Sequence, residues 1–149
     1  MADGRDERPH DPDHHPRPGG DLYEWYTRGL ELLDNGSPAA AAQILAHAAE
    51  EEPGSRSIRE ALARAQFDAG MYSKAMQNFR ANVEAKPDDD YARFGLGLSA
   101  ARLGDFRTAV EHLALAAAMR PDVQHYDTAL RGARATLRAR RRAEPGDEG

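Results

Sequence analysis

Few residues in this sequence have the types and spacing that chemistry requires. His10, Asp11, Asp13, His14 and His15 are metal-ligand types, but they stand in a stretch, Met1 to Gly20, with four prolines and three glycines. No apolar residue beyond Met1 and Ala2 anchors that stretch. A metal there would have to order a flexible segment with no outer shell of support, so residues 1–20 are expected to be a solvated, disordered tail. Catalytic signatures are missing: no His-Glu-x-x-His, no phosphate loop, no Gly-x-Ser-x-Gly and no cysteine to serve as a nucleophile or thiolate ligand. No enzyme is expected, and no cofactor, metal or small-molecule substrate.

Two further groups could bind rather than react. Arg131, Arg134, Arg138, Arg141 and Arg142 could contact phosphates. Residues 1–130 hold 14 basic against 22 acidic groups, while residues 131–149 hold 6 against 3, so the basic patch is local. No base-reading motif accompanies it, and a basic helix end also complements the helix dipole with no ligand at all. The second group is a set of tyrosines, leucines and phenylalanines at helical spacing, whose meaning depends on the elements that carry them.

Those elements are set by a repeat. Pro53, Pro87 and Pro121 stand 34 residues apart, and four further columns keep the same phase. They are Gly29, Ala63 and Gly97; Gly36, Gly70 and Gly104; Ala41, Ala75 and Ala109; and Leu45, Phe79 and Leu113. The columns describe antiparallel helix pairs. Small residues at Gly29, Ala63 and Gly97, and at Ala41, Ala75 and Ala109, let two helix axes approach closely, with Leu45, Phe79 and Leu113 filling the space beside them. Gly36, Gly70 and Gly104 supply a left-handed residue after each first helix. Ser37 and Asp105 are expected to cap the helices that follow, and the prolines end each pair. Gly95, Gly97 and Gly104 lie within or at the end of a helix, so they form no dinucleotide loop.

The spacing predicts seven helices: Leu22 to Asp34, Pro38 to Glu51, Ser55 to Ala69, Ser73 to Lys86, Asp90 to Leu103, Phe106 to Met119 and Val123 to Arg142. The last shows one apolar stripe, Tyr126, Leu130, Ala133 and Leu137, as expected of a helix that closes an open stack. Residues 143–149, with Pro145 and two glycines, are expected to fray. The acidic start of the chain carries no apolar stretch of signal-peptide type, and no run reaches the ~18 apolar residues of a membrane span, so a cytoplasmic protein is expected. Arginine outnumbers lysine 18 to 2, a bias expected of a high-GC bacterium.

In these residues the chain resembles the tetratricopeptide repeat family, over about Leu22 to Val123. Block one shows Trp25, Gly29, Ala41, Leu45, Ala48 and Pro53; block two Leu62, Ala63, Ala75, Phe79 and Pro87; block three Leu96, Gly97, Ala109, Leu113, Ala116 and Pro121. The sequence departs from the family with Arg28 in place of Leu, Arg59 and Arg93 in place of Trp, and Gln66 and Ala100 in place of Tyr. The resemblance implies an all-α, right-handed solenoid of three helix pairs, residues 22–55, 56–89 and 90–123, closed by a capping helix at 124–142. It also implies a concave face lined by the first helix of each pair. Here that face would hold Tyr23, Tyr26, Leu30 and Leu33; then Ser57, Glu60, Arg64 and Phe67; then Tyr91, Phe94, Leu98 and Ala101. Nine of these twelve are apolar or aromatic.

The resemblance therefore implies a non-catalytic adaptor or chaperone-like module that binds an apolar or amphipathic segment of a protein partner. Candidate partner-binding residues are Tyr23, Tyr26, Leu30, Leu33, Arg64, Phe67, Tyr91, Phe94 and Leu98. Family members that clamp acidic chaperone tails use Lys, Asn and Arg where this chain has Tyr26, Leu30, Ala61, Tyr91 and Gly95, so that clamp is absent. The lining is more similar to the three-repeat chaperones of bacterial secretion systems, in general architecture. Alternatives are nucleic-acid or anionic-surface binding through the last helix and service as the regulatory subunit of an enzyme. Self-association through the groove or the last helix is also open.

Overall fold

The computed structural model describes residues 18–144, and side-chain burial from residue 21 onward. The described chain is all helical: α1 (Pro18–Asp34), α2 (Pro38–Glu51), α3 (Arg56–Asp68), α4 (Tyr72–Ala85), α5 (Asp90–Arg102), α6 (Phe106–Met119) and α7 (Gln124–Ala143). Each helix packs against the next in the chain, and α1, α3, α5 and α7 also stack in a row. That is an α-solenoid of three helix pairs with a seventh helix on its end. α1 starts at Pro18, a few residues earlier than the spacing predicts. The His10 to His15 cluster and residues 145–149 lie outside the described residues.

The turns within the pairs share one geometry because each ends on a glycine. Gly36, Gly70 and Gly104 have φ of 78°, 82° and 86°, a region that costs other residues strain. In each turn the glycine N–H donates to the carbonyl three residues back, and the following N–H reaches five residues back, as Ser37 does to Leu32 O at 2.8 Å and Asp105 to Ala100 O at 2.9 Å. These paired bonds satisfy carbonyls that the helix end would otherwise leave open. The caps differ from turn to turn. Asp105 Oδ1 accepts from Thr108 N at 3.1 Å, as expected, whereas Ser37 makes no side-chain cap bond. Pro38 occupies the first turn of α2, and its missing donor reduces what a cap could satisfy there. Ser55 and Asp89, read from the spacing as helix start and loop, instead cap α3 and α5 through Ile58 N and Ala92 N.

The core follows the columns. Ala41, Leu45, Ala63, Ala75, Leu96, Ala109 and Leu113 are buried, in three clusters that run along the stack. A Cβ on Gly29 would collide with Leu45, and one on Gly97 with Leu113 Cγ at 2.7 Å and the Ala109 carbonyl at 3.1 Å. Close approach between paired helices is thus the reason for glycine in mid-helix.

The same position has different neighbours along the array. Ile58, Leu62 and Ala65 on α3, and Ala92, Leu96 and Ser99 on α5, are buried. Their equivalents on α1 are Glu24, Arg28 and Glu31, all exposed. Arg28 departs from the repeat pattern on a side where no described helix packs, and its guanidinium meets Glu31 at 3.4 Å instead of a core.

Arg59 and Arg93, in the Trp25 column, tie pairs together. Arg59 Nη1 donates to Asn82 Oδ1 at 2.7 Å, and its Nη2 donates to the Pro53 carbonyl. Arg93 Nε donates to the Pro87 carbonyl at 3.1 Å, and its Nη1 meets His112 Nδ1 at 3.1 Å. The guanidinium, with five donors in a planar fork, satisfies a carbonyl at the repeat boundary that an indole could not reach in the same way.

Candidate functional site

The one face on which the expected residues gather lies between α3 and α5. A pocket of about 190 Å³ is lined there by Arg64, Phe67, Asp68, Phe79, Tyr91, Phe94, Gly95 and Leu98. Its walls are apolar because α3 offers Phe67 one turn beyond Arg64, and α5 offers Tyr91, Phe94 and Leu98 at spacings of three and four residues, which place them on one side of the helix. The rings are ordered by one another: Tyr91 meets Phe79 edge-on at 6.0 Å between centroids, and Phe94 lies 6.3 Å from Tyr91. Gly95 is what lets Phe79 of α4 come in behind, because a Cβ there would overlap the Phe79 ring.

Polar groups rim the apolar walls. Glu60, Arg64 and Asp68 recur along α3 at intervals of four, and all three act on the Tyr91 hydroxyl. Burial pushes that hydroxyl's pKa up, the Arg64 charge lowers it, and Glu60 and Asp68 raise it. Burial likewise raises the pKa of the Glu60 carboxyl, helped by Asp89 and opposed by Arg64 and Arg56. Arg64 makes no ion pair within 4 Å among the described residues. At the edge of the face Tyr126 Oη donates to Asp90 Oδ2 at 2.7 Å, and burial together with that bond pushes the phenol pKa up.

Five of the nine expected residues, Arg64, Phe67, Tyr91, Phe94 and Leu98, meet at this pocket. The four on α1 do not. Tyr26, Leu30 and Leu33 are half-buried against Ala41, Leu45, Ala61 and Leu62, and Tyr23 stands 70% exposed. Ser57 is exposed on the first turn of α3. Phe94 is shared: one side faces the pocket, and the other packs on Tyr126 and His125 of α7 at 4.7 and 5.2 Å. Asp68, Phe79 and Gly95 complete the pocket and were not expected. Phe79 and Gly95 carry a signal in the sequence, since a phenylalanine in a leucine column and an extra glycine on the facing helix compensate each other in volume.

Of the three histidines among the described residues, His47 and His125 are exposed, but His112 is only 8% exposed. The histidines do not converge, and among the described residues no group of three or more His, Asp or Glu could hold a metal. No helix of the described residues is long and apolar enough to cross a membrane. The arginines of α7 are exposed, with Arg131 held by Asp127 at 3.1 Å and Arg140 folded over the Phe106 ring at 4.7 Å.

Residues 32–94 match the family model described as the tetratricopeptide repeat. That stretch carries the tetratricopeptide repeat. No curated protein matches the sequence. Among solved structures, MamA 41-end from Desulfovibrio magneticus RS-1 is similar to this array with a TM-score of 0.74 at 19% identity, covering 78% of this chain and 66% of that one. The chain thus spans just under two thirds of that solved chain. The first tetratricopeptide domain of Spaghetti (RPAP3), solved bound to an HSP90 peptide, is similar with a TM-score of 0.73 at 14% identity, covering 78% of this chain and 93% of that one. PcrH, solved with the chaperone-binding region of PopB, gives 0.64 at 18% identity, covering 76% and 92%. At these identities the likeness is one of fold, and it agrees with the three stacked pairs described above.

Proposed function

We propose that this tetratricopeptide array is a non-catalytic, adaptor-like or chaperone-like interaction module that holds a segment of a partner protein against its concave face, with the α3–α5 pocket taking one large apolar side chain. The observation that carries the reading is the pocket itself. Phe67, Tyr91, Phe94 and Leu98 wall a volume of about 190 Å³ that Arg64 and Asp68 also line. A single leucine or phenylalanine side chain matches that size, and buried apolar anchors in well-packed pockets dominate such interfaces. Tyr26, Leu30 and Leu33 extend an apolar floor along α1, so the rest of an amphipathic segment would lie toward that end. Peptides are held by the two distant fold relatives solved with ligands, which supports a concave face suited to this work.

A displayed peptide library selected against the whole chain tests the proposal. Enriched peptides should carry a leucine or aromatic anchor and bind with a Kd near micromolar, about −8 kcal/mol. Leu98→Trp, which fills the pocket without opening the core, should weaken them by about tenfold or more, about 1.4 kcal/mol. Enriched peptides that ignore both Leu98→Trp and Arg64→Glu would contradict it.

A further inference from the structure

Charge is distributed unevenly along the solenoid axis. Residues 18–52, which form α1 and α2, carry seven acidic side chains and one arginine, a net charge of −6. Residues 124–143, which form α7, carry six arginines and one aspartate, a net charge of +5. The stretch between them, residues 53–123, is close to balanced, with ten basic and nine acidic groups.

Both charged regions lie at the two ends of the described stack. On α1, Glu24, Arg28 and Glu31 occupy the side that faces a preceding repeat elsewhere in the array, and all three are exposed. Tyr23 stands beside them in solvent. At the other end α7 turns Tyr126, Leu130 and Ala133 inward, and no described helix covers its next side. Where each repeat keeps a small residue for that helix, at Gly29, Ala63 and Gly97, α7 has Arg131, followed by Arg134 and Arg138 on the same side. An arginine in that position forbids close packing of a further helix but presents charge outward. Asp127 occupies Arg131, and Arg140 is folded onto Phe106 and the Gly104 carbonyl. Arg134, Arg138, Arg141 and Arg142 make no ion pair among the described residues.

We propose that the open arginine side of α7 docks against the acidic α1–α2 end of a second copy of the chain, head to tail. The complement to the α7 charge is present in the molecule itself, at the opposite end of the stack and in nearly equal amount. A polyanion such as a nucleic acid would meet only one basic helix on a chain of net charge −5. Glu24 and Glu31 are placed to accept from the free guanidinium groups, and the exposed Tyr23 ring offers a face on which an arginine can stack. Each contact uses two different surfaces, so it leaves one acidic and one basic end free, and the association is open: chains or a closed ring, not a two-fold dimer. The surfaces are polar, so the contact is weak and strongly dependent on salt.

Sedimentation velocity of the full chain over a range of concentrations tests this, at about 20 mM and about 300 mM salt, where screening lengths are roughly 20 Å and 6 Å. The weight-average mass should climb with concentration in low salt and return to that of the monomer in high salt. Two variants at exposed positions are compared, with helicity checked by circular dichroism: Arg134→Glu, Arg138→Glu, Arg141→Glu on α7, and Glu24→Arg, Glu31→Arg, Glu50→Arg on α1 and α2. Each alone should remain monomeric in low salt, and an equimolar mixture should associate again, because the α7 variant keeps its acidic end and the α1–α2 variant its arginine end, and the two reversed ends also carry opposite charges. A wild type that is monomeric in low salt overturns the proposal, as does association that both charge reversals leave intact. Uptake of a single-stranded oligonucleotide by a monomeric wild type, lost in the α7 variant, overturns it in favour of nucleic acid.

Discussion

The first repeat and the two that follow it use the same helical positions for opposite purposes. Ile58, Leu62 and Ala65, like Ala92, Leu96 and Ser99, are buried against the repeat before them, whereas Glu24, Arg28 and Glu31 face solvent. In the Trp25 column the difference runs the other way. Trp25 only tilts against exposed His47 at 5.9 Å, while Arg59 and Arg93 bind a proline carbonyl and a polar group on the second helix. Departures from a repeat pattern are therefore of two kinds. One marks the end of the described helices, where no described neighbour packs, and the other marks a joint, where a polar fork replaces an apolar wedge.

Leu96→Ala should produce the largest effect on this comparison. Leu96 is fully buried, and its truncation is expected to cost about 2–5 kcal/mol in urea unfolding. The equivalent end substitution, Arg28→Ala, should change stability by no more than about 0.5 kcal/mol. Equal losses would mean that α1 is not an end. Glycine sharpens the same contrast. Gly97→Ala drives a methyl into Leu113 and should cost about 1–3 kcal/mol, whereas Gly132→Ala on α7 meets nothing within 4 Å and should stabilise by up to about 1 kcal/mol, read as opposite shifts in thermal midpoint.

The joint at Arg93 makes stability depend on pH. Burial lowers the pKa of His112, with the Glu111 charge opposing and the Arg93 and Arg80 charges adding to the effect. The unfolded chain therefore binds a proton more readily than the folded one, so the contribution is present above the ordinary histidine value of about 6.5 and is lost as pH falls below it. Denaturant midpoints measured from neutral pH downward should fall with a component that His112→Gln removes. A wild-type profile that His112→Gln leaves unchanged would show that the joint does not sense protons. A small effect is also expected at Ser99, whose buried hydroxyl has no hydrogen-bond partner among the described residues. Ser99→Ala, which supplies the alanine that α3 has at Ala65, should be neutral or stabilising by up to about 1 kcal/mol in the same unfolding measurement.

The fold was legible because its determinants are local and periodic. A glycine that must take positive φ, a small residue under a leucine, and a proline after each pair repeat at a fixed interval, so three weak signals reinforce one another. The missed caps at Ser55 and Asp89 fall just before helices whose apolar pattern begins later, where pattern alone blurs a boundary. The lining of the candidate pocket was legible in part. Spacing assigns Arg64, Phe67, Tyr91, Phe94 and Leu98 to one face, but it cannot distinguish a groove from a floor. Tyr26, Leu30 and Leu33 have the same spacing on α1 and are half-buried there against Leu45 and Leu62. Which of two apolar faces keeps open volume also depends on how closely Phe79 of α4 approaches Gly95 of α5, a contact between helices that the spacing on one helix does not encode.

The central claim is that the α3–α5 pocket is where a partner is held. Backbone amide shifts of the labelled chain, followed by NMR as a selected peptide is titrated in, test it most directly. The largest changes should fall on Arg64, Phe67, Tyr91, Phe94 and Leu98, with smaller ones along Tyr26 and Leu30. Changes confined to α7, or to the outer helices α2, α4 and α6, would contradict it.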